Sequence, residues 1–131
     1  MDNDVIKKQK ILVIEDEPII CKVCVKTLTA SGYEVDIANN GLIGMEKANN
    51  KSYDLYFSDV RTPAMNGIQF YHFLVGKNPH LARRVIFTTG DVMSPDVKYF
   101  LSKIKNPYLP KPFTPDDLRK IVSETLVKLK E

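Results

Sequence analysis

The chain predicts an α/β domain, a five-stranded parallel sheet covered by helices on both faces. Three observations lead there. Short apolar runs such as KILVIED (10–16) and RRVIFTTGD (83–91) alternate with longer stretches in helical spacing. The runs hold consecutive apolar residues, as strands buried on both faces do. Connections between the segments are short, and no repeat or low-complexity linker interrupts the 131 residues.

In order, KILVIED (10–16) reads as a buried strand ending in acids. EPIICKVCVKTLTASG (17–32) reads as a helix, with a proline in its first turn and Gly32 as its stop. YEVDIA (33–38) alternates as a strand, and GLIGMEKANN (41–50) is a short helix. DLYFSD (54–59) is the third strand, and NGIQFYHFLVGKN (66–78) a helix capped by Asn66. RRVIFTTGD (83–91) is the fourth strand and SPDVKYFLSKIKN (94–106) a modest helix. NPYLPKPF (106–113) is short and extended; Pro107, Pro110 and Pro112 cannot donate to a ladder, which puts it at a sheet edge. TPDDLRKIVSETLVKLKE (114–131) closes the chain as a helix, with Thr114 as cap and acids at the positive end of its dipole. Its residues Leu118, Ile121, Val122, Leu126 and Leu129 form one apolar stripe.

Hydrophobic content of 44%, charged content of 27% and a net charge of +3 describe an ordinary globular domain. The lysines are scattered, so no direct nucleic-acid contact is expected. No apolar stretch has the length of a membrane span, and the N-terminus lacks a signal-peptide core, so a cytoplasmic domain without membrane contact is expected. Residues 1–8 read as a flexible leader and 9–131 as the domain. Cys21 and Cys24 form a lone C-x-x-C inside a helix rather than at its start, and Cys24 falls between Ile20 and Leu28 on the apolar face. A small core hydrophobe is expected there, not a redox or zinc site.

In parallel sheets ligands bind at the carboxyl ends of the strands. Strand one delivers Glu15 and Asp16, strand three Asp59, strand four Thr88, Thr89 and Gly90, and strand five Lys111. Three carboxylates within roughly 5 Å repel by about 3 kcal/mol per pair at an effective dielectric near 20. Lys111 offsets one charge. A hard divalent cation such as Mg²⁺ balances the rest and leaves room for a phosphoryl oxygen. Carboxylate nucleophile, Mg²⁺, lysine and hydroxyl together equip a site for phosphoryl transfer to an aspartate.

The residues that carry this chemistry resemble the receiver domains of two-component response regulators, from about Lys10 to Lys128. The motifs are the acid pair Glu15-Asp16, the acceptor strand and loop SDVRTPAMNG, the threonine strand VIFTTGD and the lysine loop YLPKPF. The stretch TGDVMSPDVKYFLSKIKNPYLPKPF is most similar to receivers of hybrid sensor histidine kinases. The resemblance implies a flavodoxin-like (βα)5 fold with strand order 2-1-3-4-5. It implies that Asp59 is the phosphoacceptor, and that Asp16, Asp59 and the backbone carbonyl of Arg61 bind Mg²⁺, with Glu15 acting through water. Thr89, preferred to Thr88 because small Gly90 follows it, is the phosphoryl-binding hydroxyl, Lys111 the salt-bridge partner and Tyr108 the aromatic that follows Thr89. The Lys111-Pro112 bond is expected cis. The phosphodonor is a histidine kinase or histidine phosphotransfer domain. The target is a protein that reads the surface of the helix at 94–106, the strand after it and the last helix, where Val127 lies off the core stripe. The protein is expected to be a monomer or weak dimer, and not a conventional enzyme, its turnover being limited to its own aspartate.

Two departures shape the loops. Thr62 stands where many members have Met, and Asn66 replaces an Asp. Arg61 and Asp91, each two residues beyond a key side chain, carry opposite charges. They are expected to pair across the site, restrict attacking water and lengthen the phosphoaspartate lifetime. Ile19 and Val23 flank the apolar face of the first helix, where they either dock a phosphodonor helix or cover the sheet edge. A haloacid-dehalogenase-type phosphatase would carry an Asp where Arg61 stands, and a flavin-binding flavodoxin would not place the acids of EDEP against a phosphate. The remaining alternative is a degenerate receiver that serves only as a protein-interaction scaffold. The sequence leaves open whether this is a single-domain regulator or the receiver of a larger kinase.

Overall fold

The structure is a computed structural model that describes residues 7–91 and 93–131. Of the expected leader, residues 1–6 lie outside the described residues, and Lys7 and Lys8 are exposed. Five parallel strands, β1 (Lys10–Ile14), β2 (Glu34–Ala38), β3 (Leu55–Asp59), β4 (Val85–Thr89) and β5 (Tyr108–Pro110), form one sheet. Its order is β2-β1-β3-β4-β5, with every pairing parallel. The proline-laden strand is an edge, as its missing donors require.

The helices are α1 (Pro18–Ala30), α2 (Gly41–Asn50), α3 (Gly67–Lys77), α4 (Pro79–Ala82), α5 (Pro95–Ser102) and α6 (Pro115–Leu129). Strand alternation sorts the core into two layers. Ile11, Val13, Leu55, Phe57 and Ile86 face α1 and α6, where they meet Cys24, Leu28, Leu118, Val122 and Leu126. Leu12, Ile14, Tyr56 and Phe87 face the other way, onto Phe70 and Leu74 of α3 and Val97 and Phe100 of α5. Cys24 is fully buried, and burial, with the Glu15 charge adding, pushes its thiol up to about 12; it is a packing residue. Among the described residues, no helix is long and apolar enough to cross a membrane.

The boundaries differ from expectation in three places. The short helix α4 has no counterpart in the sequence reading: Asn78 ends α3 and its Oδ1 accepts the His80 N–H at 3.0 Å, starting a new turn at Pro79. Arg83 and Arg84 therefore belong to the turn before β4 rather than to the strand. The helix expected over 94–106 stops at Ser102. The Asn106 amide instead donates to the carbonyls of Ala82 and Val85, at 2.8 and 2.9 Å, and fixes the extended segment leading into β5. The Lys111-Pro112 peptide is cis.

Candidate functional site

The site lies at the carboxyl ends of β1, β3, β4 and β5. Asp59 ends β3 and pairs in register with Thr88, and the Val60 N–H continues that ladder to the Thr88 carbonyl at 3.0 Å. Two buried strands thus fix the Asp59 backbone, and its side chain is 6% exposed. Asp59 Oδ1 accepts the Arg61 N–H at 3.0 Å and Oδ2 accepts Lys111 Nζ at 2.9 Å. Lys111 is held in turn by β4, since its N–H donates to the Thr89 carbonyl at 3.0 Å.

Glu15 follows β1 and extends its ladder by one bond, from its N–H to the Ala38 carbonyl at 3.0 Å. Its side chain is fully buried, 2.9 Å from Lys111 Nζ. Burial first, and then the Asp59 charge, push its carboxyl up to about 7 against the opposing pull of the Lys111 ammonium. Burial alone would lower Lys111; its hydrogen bonds to Glu17 and Asp59 and its contact with Glu15 outweigh that and hold it above the ordinary lysine range. Glu17, given no role from sequence, completes the cluster at 2.6 Å from Lys111 Nζ.

Carboxylate oxygens of Glu15, Glu17 and Asp59 lie within 4.8 Å of one another. Glu15 Oε1 is buried and receives no hydrogen bond, although Lys111 is at ion-pair distance: the ammonium's hydrogen bonds point elsewhere. An orphaned carboxylate oxygen beside two more carboxylates fits a hard divalent cation. Asp16 sits on the same loop but is exposed and is not in this group.

The two threonines of β4 divide their work. Thr88 donates to the Leu109 carbonyl at 2.8 Å, and so ties β4 to β5. Thr89, 1% exposed, accepts the Asp91 N–H at 3.0 Å, leaving its own proton for another partner. Tyr108, in register with Phe87, is 45% exposed and turned outward.

Arg61 and Asp91 do pair: Nη2 is 3.0 Å and Nε 3.2 Å from Asp91 Oδ2. The guanidinium also donates to Ser94 Oγ and Asp96 Oδ1, each at 2.9 Å, so one arginine ties Asp91 to the start of α5. Thr62 donates to the Met65 carbonyl at 2.8 Å, bracing a loop in which Ala64 takes a left-handed φ of 66°. Asn66 caps α3 in a reciprocal pair with Gln69. On α1, Ile19 is 75% exposed and so does not cover the sheet edge, whereas Val23 is half-buried. Val127 on α6 is 59% exposed.

The family model for the response regulator receiver domain matches residues 11–123. Among relatives, the chain is 33% identical over 120 residues to the probable transcriptional regulator ycf29 of Pyropia yezoensis, covering 91% of this chain and 54% of that one. It is 32% identical to the response regulator ArlR of Staphylococcus epidermidis over 82% of this chain and 48% of ArlR. Against hybrid signal transduction histidine kinase G of Dictyostelium discoideum it is 30% identical over 87% of this chain, but only 3% of that kinase. The chain thus spans about half or less of the curated relatives it matches here. Among solved structures, the receiver domain of a Pseudomonas aeruginosa sensor histidine kinase, with magnesium ion coordinated in its active site cleft, aligns with a TM-score of 0.81 at 27% identity. That alignment covers 92% of this chain and 99% of that one. A receiver domain protein of Methanospirillum hungatei aligns at 0.85 and 26% identity, covering 95% and 98%. The chain belongs to the response regulator receiver domain family of two-component signalling.

Proposed function

We propose that the chain accepts a phosphoryl group from a phosphohistidine onto Asp59 with Mg²⁺, and that the phosphorylated form changes which proteins it binds. The observation that carries this reading is the buried Asp59 carboxylate bonded to Lys111 Nζ at 2.9 Å, next to the orphaned Glu15 Oε1. Glu15, Asp59 and the neighbouring Asp16 and Arg61 carbonyl would hold the cation, with Glu17 at the rim. Mg²⁺ supplies charge neutralisation for the transferring phosphoryl oxygens.

The chain does the rest. Buried strand ends hold Asp59 still, so that one of its oxygens forms the bond to phosphorus as the donor's P–N bond breaks and the imidazole nitrogen keeps the electron pair. Lys111 pairs with a phosphoryl oxygen. Thr89 gives its free proton to another, which draws its hydroxyl from the Asp91 N–H and opens space toward which Tyr108 turns. The altered surface of α5, β5 and α6 is then read by the target. A histidine kinase or histidine phosphotransfer domain is the donor, with exposed Ile19 and half-buried Val23 beside the cleft to receive its helix. The only turnover is that of the chain's own phosphoaspartate.

Intact mass after incubation with Mg²⁺ and acetyl phosphate tests this. One added phosphoryl group is expected, lost in Asp59→Asn and without Mg²⁺. A wild-type protein that takes no label and binds neither Mg²⁺ nor beryllofluoride would leave the interaction-scaffold reading instead.

A further inference from the structure

Lys111 Nζ sits among three carboxylates, 2.6 Å from Glu17, 2.9 Å from Asp59 and 2.9 Å from Glu15. The contacts are not alike. Those to Glu17 Oε2 and Asp59 Oδ2 are hydrogen bonds, whereas buried Glu15 Oε1, though at ion-pair distance, receives none. Glu17 stands at the N-cap position of α1 without a capping bond from its side chain, and its N–H is held by Glu15 Oε2 at 3.1 Å. Its backbone is therefore fixed to the cleft, while its 58% exposed carboxylate reaches out to Lys111. An ammonium has three donors and directs them at the charged acceptors in reach. With Glu17 gone, the nearest acceptor left without a hydrogen bond is Glu15 Oε1.

We propose that Glu17 is a positioning residue for Lys111: it competes with Glu15 for the ammonium and so eases the release of Glu15 Oε1 from Lys111 to a hydrated divalent cation. The inference rests on the reading of the cleft as a Mg²⁺ site, and goes beyond it by giving Glu17 work that is done through Lys111. Glu17 could instead add only its negative field. The two differ in one respect: a field acts whether or not Lys111 is present, and positioning acts only through it.

Calorimetric Mg²⁺ affinities of the unphosphorylated wild type, Glu17→Gln, Lys111→Met and the double variant separate them. Contacting charged groups couple strongly, so Glu17→Gln is expected to weaken Mg²⁺ binding about fivefold with Lys111 present and less than about twofold in the Lys111→Met background. Glu17→Asp keeps the charge but is too short to reach Nζ, and is expected to behave like Glu17→Gln. In the metal-free protein, the Lys111 ¹³Cε NMR signal is expected to shift in both Glu17 variants. Equal losses in the two backgrounds, or a Glu17→Asp affinity like that of the wild type, would overturn the positioning role and leave the Mg²⁺ reading intact. A wild type that binds no Mg²⁺ would overturn both.

Discussion

The Arg61 guanidinium spends its donors on Asp91 and Ser94, between β4 and α5, and on Asp96 in the first turn of α5, while its backbone N–H holds Asp59. We propose that this arginine also limits the access of water to a phosphoaspartate at position 59. The pairs are exposed, and exposed pairs are worth about 0.2–1 kcal/mol, so the effect on hydrolysis is modest. Arg61→Ala and Asp91→Ala are each expected to speed dephosphorylation about two- to fivefold, the double variant gaining little more. Phosphorylated protein followed by intact mass after donor removal gives these rates, and unchanged rates would dismiss this role. The charges at 61 and 91 could be read from their spacing to Asp59 and Thr89. Ser94, Asp96 and Glu17 could not, because their contacts depend on how two loops fold over the cleft. The one trace of Glu17 in the sequence is an acid placed directly before the proline that starts α1.

Elements position the site by close backbone approach. Gly67 opens α3 where the chain doubles back on β3, its N–H donating to the Val60 carbonyl at 3.0 Å. A Cβ at Gly67 would stand 2.5 Å from the Asp59 carbonyl oxygen and 2.9 Å from Val60 Cα, both backbone atoms that cannot step aside. Gly67→Ala is thus expected to cost about 1–3 kcal/mol, and to weaken Mg²⁺ binding because the shift is transmitted to Asp59. Urea melts and calorimetry on one sample give both numbers; a variant with wild-type stability would mean that the α3 junction is looser than drawn. Strands and caps were readable because burial on both faces and N-cap chemistry are local signals, as at Phe57, Asn66 and Thr114. The turn of helix at Pro79 was not, since Asn78 serves as both the end of α3 and the cap of α4. Nor was the early stop of α5, where Asn106 bonds to carbonyls more than 20 residues away.

For the whole molecule, the cleft is a stored electrostatic load, and the sign of its pH dependence follows from Glu15. Its carboxyl titrates near 7 when folded against 4.5 as the ordinary value, so between those limits the native state holds a proton that the unfolded chain has released. Stability contributed by this group is therefore full below about pH 4.5 and declines as pH rises toward 7. Lys111 is raised as well, but in a cation that shift stabilises the fold: its contribution is present throughout this window and is lost only in strong alkali, so it adds no slope between pH 5 and 8. Without a cation, the wild type is expected to lose on the order of 2 kcal/mol between pH 5 and 8 relative to Glu15→Gln, a difference of several degrees in melting temperature. If, as proposed, Mg²⁺ binds the native cleft, it must displace that proton at low pH, so its stabilisation is expected to be larger at pH 8 than at pH 5.5. Melting curves of the two proteins across this range, with and without Mg²⁺, decide the matter. Parallel pH slopes for wild type and Glu15→Gln would show that the buried carboxyl stays ionised on Lys111 throughout. Equal Mg²⁺ stabilisation at both pH values would mean that the cation is held by Asp16 and Asp59 without displacing a proton from Glu15.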